Sequence, residues 1–101
     1  MKLIAAFMYI TPGCDPEKQY AYIPGDNIDL YVAGVSTYEQ SEAVAKVLEE
    51  KGCIAIELCA AFGTDGVARV KSAVSPQIYV GAVRFDVHPA LDFKSGDAVF
   101  Q

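Results

Sequence analysis

Glu57 interrupts an apolar run, with Ile54-Ala55-Ile56 before it and Leu58-Cys59 after it. Burying a carboxylate in such a run is costly unless it is paired or holds a proton. A carboxyl tuned toward neutrality is what general acid or base catalysis needs. Glu57 is therefore the first candidate for chemistry, as the acid or base of a proton-transfer step. A structural ion pair with Arg84 is the competing explanation. His88 is the only histidine. It precedes Pro89, which favours extended backbone, so Asp86 two residues earlier shares its side. His88 can act as a second base, with Arg84 and Asp86 as polar contacts to a substrate. Glu57, Asp86 and His88 make a thin metal set, because the common zinc sites want a second histidine or cysteines. No metal is assigned, and no residue pattern names a cofactor.

Gly63-Thr64-Asp65-Gly66 leads into a helical pattern. Free N–H groups at a helix start attract anions, so Gly63, Thr64 and Gly66 are candidates to hold a small anionic metabolite. The turn has neither the dinucleotide-binding nor the P-loop spacing, and Thr64 or Asp65 serves equally as an N-cap. Thr11 and Cys59, each at the end of an apolar run, complete the candidate substrate contacts. Cys59 is a possible nucleophile near His88, although buried cysteine more often packs as a small hydrophobe. Cys14, in its Gly-Cys-Asp-Pro loop, is expected to be exposed.

These residues need elements to position them. Leu3–Ile10 is a continuous apolar run, as in a strand buried on both faces. Asp15-Pro16-Glu17 carries helix-start signals, which predict a short helix from Pro16 to about Tyr22. Ile28–Val35 reads as a second strand. Ser36 with Glu39, or Thr37 with Gln40, forms a capping box. Ala43, Val44, Val47 and Leu48 then make an apolar stripe, closed by Lys51 and Gly52. Cys53–Ala60 is a third strand. A helix bearing Val67, Val70 and Val74 follows, ended by Pro76. Ile78–Phe85 is a fourth strand, and Asp86–Gln101 is an irregular tail.

The resulting β-α-β-α-β-α-β order predicts an α/β fold with a four-stranded, mostly parallel sheet. Two arrangements fit. One is doubly wound and flavodoxin-like, with strand order 2-1-3-4. The other is a curved half-barrel with strand order 1-2-3-4. Either leaves a sheet face under-covered, so a homo-oligomer, a dimer or higher, is expected.

The chain has 101 residues, 52% of them hydrophobic, and a net charge of −5 from 8 basic and 13 acidic side chains. This is one domain over residues 1–101. The composition excludes disorder and lacks the basic footprint of a nucleic-acid binder. No apolar run approaches the ~20 residues that span a bilayer, so no membrane partner is expected. The three cysteines form no CxxC pair. Cys53 and Cys59 would stand ~20 Å apart in one strand, too far to bridge. Reduced thiols imply a cytoplasmic location.

Gly52-Cys53-Ile54-Ala55-Ile56-Glu57-Leu58-Cys59, Val80–Pro89 and Lys94-Ser95-Gly96-Asp97 together resemble a family of roughly hundred-residue bacterial and archaeal proteins of unknown function. That likeness runs over essentially the whole chain. A second one covers about Glu42 to Gly81, which looks like one unit of the ketodeoxyphosphogluconate aldolases. In those barrel enzymes a Glu at the position of Glu57 takes part in proton transfer. They also form a Schiff base on a strand-borne lysine, and here no lysine lies inside a strand apart from Lys2 at its start. The expected function is binding of a small anionic metabolite at the strand carboxyl ends, with Glu57 as acid or base. The alternative is a non-catalytic homo-oligomeric binding or assembly module.

Overall fold

The computed structural model describes residues 2–101. The apolar run at the start forms β1 (Leu3–Ile10), which lies at the centre of a five-stranded sheet. After it come β2 (Tyr20–Ile23), β3 (Ile28–Val35), α1 (Tyr38–Glu50), β4 (Ala55–Leu58), α2 (Thr64–Ala73) and β5 (Tyr79–Ala82). A 3₁₀ turn at Pro89–Leu91 and the short α3 (Gly96–Val99) end the chain. The strand order is β2-β3-β1-β4-β5. β1 runs parallel to β3 and β4, β4 runs parallel to β5, and only β2 is antiparallel to its neighbour β3.

The α/β class and the mostly parallel sheet are as the sequence predicts. The four expected strands stand in the doubly wound order, not in that of a half-barrel. The fifth strand is a correction. In place of a helix over Pro16–Tyr22, a single turn forms at Asp15. Its Oδ1 accepts from the Glu17 N–H at 2.9 Å, and its carbonyl accepts from Gln19 N–H at 2.8 Å. The next residues, Tyr20-Ala21-Tyr22-Ile23, are rich in aromatic and β-branched types that favour a pleated strand. They pair back onto β3 as a hairpin.

That change decides the layering. The crossovers through α1 and α2 run the same way across the sheet, and right-handed connections then set both helices on one face. The two helices pack against each other there. The β1-to-β3 connection carries a strand in place of a helix. Among the described residues, no helix covers the opposite face. The burial of β1 records this: Ala6, Met8 and Ile10 are buried toward the helices, while Leu3, Ala5, Phe7 and Tyr9 on the other side are only half-buried.

The core lies between the helices and the sheet, around Met8, Tyr38, Leu48, Ile56, Leu58, Phe62 and Val70. Thr37 caps α1 through a 3.0 Å bond from Gln40 N–H, and Gln40 Oε1 reaches back to the Ser36 N–H at 2.9 Å. Of the two expected capping boxes, Thr37 with Gln40 is the one that forms, its back-bond going to Ser36, and among the described residues no bond joins Ser36 to Glu39. The buried stripe of α1 is Tyr38, Ser41, Ala45 and Leu48, rotated from the expected one. Small Ser41 and Ala45 let the helix approach the sheet closely, and Val47 stays 46% exposed. Gly52 ends the helix at φ +98°, where glycine carries no Cβ penalty.

The tail is more ordered than its lack of periodicity suggests. Leu91 and Phe100 are buried in the core, and α3 packs on α2. The tail therefore covers the helix side and leaves the bare sheet face open.

Candidate functional site

Side chains alternate across a strand, so the registers define rows on the bare face. One row is Val32–Phe7–Glu57–Gly81, and the next is Leu30–Ala5–Ala55–Tyr79. Apart from Val32, these rows line an open depression of about 770 Å³, bounded also by Leu3, Ile28 and Val83. Glu57 is the only carboxylate in its lining, which contains no Lys, Arg or His. Gly81 beside it leaves open space where a side chain would stand. Tyr79 is 75% exposed at the rim.

Glu57 itself is exposed, which corrects the expectation of a buried carboxylate. The reason is the missing helix: β4 is buried only on its other side, through Ile56 and Leu58. At the upper end of this face the loop after β1 folds inward. Cys14, expected to be exposed, is buried beside Tyr9. Burial, with a hydrogen bond to Cys14, raises the Tyr9 phenol above its ordinary pKa. Cys59 is half-buried and shares the strand parity of Glu57, with its N–H on the Met8 carbonyl at 3.0 Å. Thr11 is exposed at the end of β1.

Arg84 has the opposite parity and goes to the helix side. Its Nε donates to Thr64 Oγ1 at 3.2 Å, and it pairs with Asp86 at 3.5 Å. It lines a second depression of about 370 Å³ with Thr64, Lys71 and Ala82. Arg84 and Glu57 therefore stand on different sides of the sheet, and the expected ion pair between them is not formed. His88 caps the 3₁₀ turn: its Nδ1 accepts from the Ala90 N–H at 3.1 Å, and its ring lies 5.3 Å from Phe85. Among the described residues no group of three potential ligands stands together as a metal site.

The start of α2 also differs from expectation. Neither Thr64 nor Asp65 caps it; the cap residue is Gly63, with no side-chain bond of its own. The anion at this helix start is Asp97 of the tail. Its carboxylate accepts from the Asp65 N–H at 3.1 and 3.2 Å. Tyr38 completes the cluster, donating its hydroxyl to Asp97 Oδ1 at 2.9 Å and accepting from Gly63 N–H at 3.0 Å. Gly63 and Gly96 are required here, since a side chain on either would run into Asp97 or into the Ala61 carbonyl. Gly66 likewise packs against the Tyr38 ring. Burial is the main cause that raises the Tyr38 phenol well above its ordinary pKa, and Asp97 adds to it. Gly63, Thr64 and Gly66, the expected anion cradle, are thus engaged by the protein's own carboxylate.

A further polar group carries no motif in the sequence. Asp29 is buried at the foot of β3, bonded by Tyr22 Oη at 2.9 Å, Gly25 N–H at 3.1 Å and Lys2 Nζ at 3.2 Å. The Gly25 N–H is the largest cause holding its carboxyl below the usual range, with Tyr22 and Lys2 acting the same way. Its position next to Ile28 in a strand start was the available signal.

A profile of a family of unknown function, DUF6506, matches residues 3–98. The chain belongs to the DUF6506 family. This establishes the whole-length likeness seen in the sequence. No curated protein and no solved structure matches the chain, so the local likeness to the aldolases finds no support. The DUF6506 match spans both the bare face and the Asp97 cluster, from the start of β1 into α3. Among the described residues no helix is long and apolar enough to cross a membrane.

Proposed function

We propose that this chain is a self-associating binding module and that two copies stack through their bare sheet faces. One observation carries the reading: a mostly parallel sheet has both helices on one side and an apolar surface on the other. Parallel sheets are otherwise covered on both faces. The bare side of β1, Leu3-Ala5-Phe7-Tyr9, is as apolar as its buried side, which suits a strand meant for burial on both faces. The chain's own tail is committed to the helix side.

The dimensions support a second copy as the cover. Five strands spaced ~4.8 Å apart are about 24 Å wide, and strands of four to eight residues run about 13–27 Å. Two such faces present roughly 900 Å² in projection, and side-chain relief carries the accessible area toward the ~1,200 Å² of a small stable interface. This arrangement suits assembly better than proton transfer on a small anion. The helix-start amides already hold Asp97, and Arg84 is engaged with Asp86 and Thr64.

Light scattering on the purified chain at micromolar concentration tests the proposal. A mass near twice 10.9 kDa supports it. A monomer at that concentration contradicts it.

A further inference from the structure

Stacking two copies closes the depression around Glu57 and takes that carboxylate out of bulk water. An ion enclosed in this way is costly unless an opposite charge meets it. The lining offers no basic side chain, and Glu57 belongs to none of the ion pairs found among the described residues. Either the depression supplies the compensating charge or Glu57 takes up a proton on closure.

We propose that the depression binds a small organic cation, an ammonium group on an apolar body, with Glu57 as its anchor. This rests on the assembly reading above, which makes the depression a chamber. The walls fit such a molecule. Leu3, Ala5, Leu30 and Val83 supply apolar surface for the body. Phe7 lies directly across from Glu57 on β1, and Tyr79 stands one row away on β5. Aromatic faces attract cations and add to a carboxylate anchor. Gly81, the other neighbour of Glu57, leaves room for the head group. On the single chain the open depression measures about 770 Å³, and ligand pockets usually occupy ~300–1,000 Å³, so a facing copy can close over it and still leave a ligand-sized chamber. A small anionic metabolite meets the reverse conditions here, a lone carboxylate and no cation.

The test uses three probes with one apolar body and different heads: cyclohexylmethylammonium, cyclohexylmethanol and cyclohexylacetate. Binding is followed by calorimetry and by amide shifts, on the wild type and on Glu57→Gln. The wild type should prefer the ammonium over the acetate by at least tenfold. Glu57→Gln should lose that preference and still bind the alcohol as the wild type does, which shows an intact pocket. Equal binding of all three heads, an ammonium affinity unmoved by Glu57→Gln, or no binding of any probe overturns the proposal. Light scattering on the same samples separates the two readings. A dimer that ignores the ammonium refutes the ligand and keeps the assembly. A monomer that binds it with the expected preference keeps the site and refutes the assembly.

Discussion

The Tyr38 hydroxyl donates to Asp97 Oδ1 at 2.9 Å, joining residues 59 positions apart. Asp97 in turn receives the Asp65 N–H, and Tyr38 receives that of Gly63. One buried phenol thus ties the tail to the start of α2. Tyr38→Phe leaves the Gly63 N–H without its acceptor and should cost about 1–3 kcal/mol. For a domain this size that lowers Tm by ~4–8 °C per kcal/mol. Thermal and urea unfolding of the variant check it; a loss below ~0.5 kcal/mol would show the contact to be idle.

The same phenol makes stability depend on alkaline pH. Burial raises its pKa in the folded protein, so its contribution is complete below the ordinary tyrosine value of about 10. As pH rises from there through the folded value, the contribution is lost. Urea midpoints measured between pH 8 and 11 should fall for the wild type, and the fall should be shallower in Tyr38→Phe. Parallel curves would refute the assignment.

Asp29 acts at the acid end, with the opposite sign. Its carboxyl is held below its ordinary value by Gly25 N–H, Tyr22 and Lys2. The stabilisation is therefore complete above the unfolded value of about 3.9 and disappears as pH falls through the lower folded one. Asp29→Asn should reduce stability at pH 7 and flatten the stability profile between pH 4 and 2. The measurement is chemical denaturation across that range, and an unchanged acid limb would count against it.

The parallel core was legible in the sequence because it depends on run length and helix caps. β1, β3, α1 and α2 are local patterns with local stops. The hairpin strand β2 was hidden because Asp15-Pro16-Glu17 carries real helix-start chemistry, which delivers only one turn before Tyr20–Ile23 takes the extended form. Glu57 stood out correctly as odd, but its burial depended on a helix that β2 replaces. The Asp97 cap could not be seen from Gly63–Gly66 alone, since it is a contact between segments more than thirty residues apart. Proximity to the strand end in sequence does not fix where His88 and Arg84 point, and strand parity sends Arg84 to the other side.

A charge on the bare face should weaken assembly without unfolding the chain. Leu30→Glu sets a second carboxylate in the row beside Glu57, where stacking would desolvate it unpaired. A symmetric dimer carries two such carboxylates, so at about 2–3 kcal/mol each the cost is roughly 4–6 kcal/mol, or about 10³- to 10⁴-fold in the dissociation constant. Sedimentation equilibrium reads the constant, and circular dichroism confirms the retained fold. Wild-type association in a folded Leu30→Glu variant would place the interface elsewhere.

The most direct measurement is an isotope-filtered NOE experiment on an equimolar mixture of ¹³C-labelled and unlabelled chains. Face-to-face stacking predicts intermolecular contacts to Phe7, Ile28 and Leu30. Contacts confined to the edge strands β2 or β5, or none at all, would contradict it.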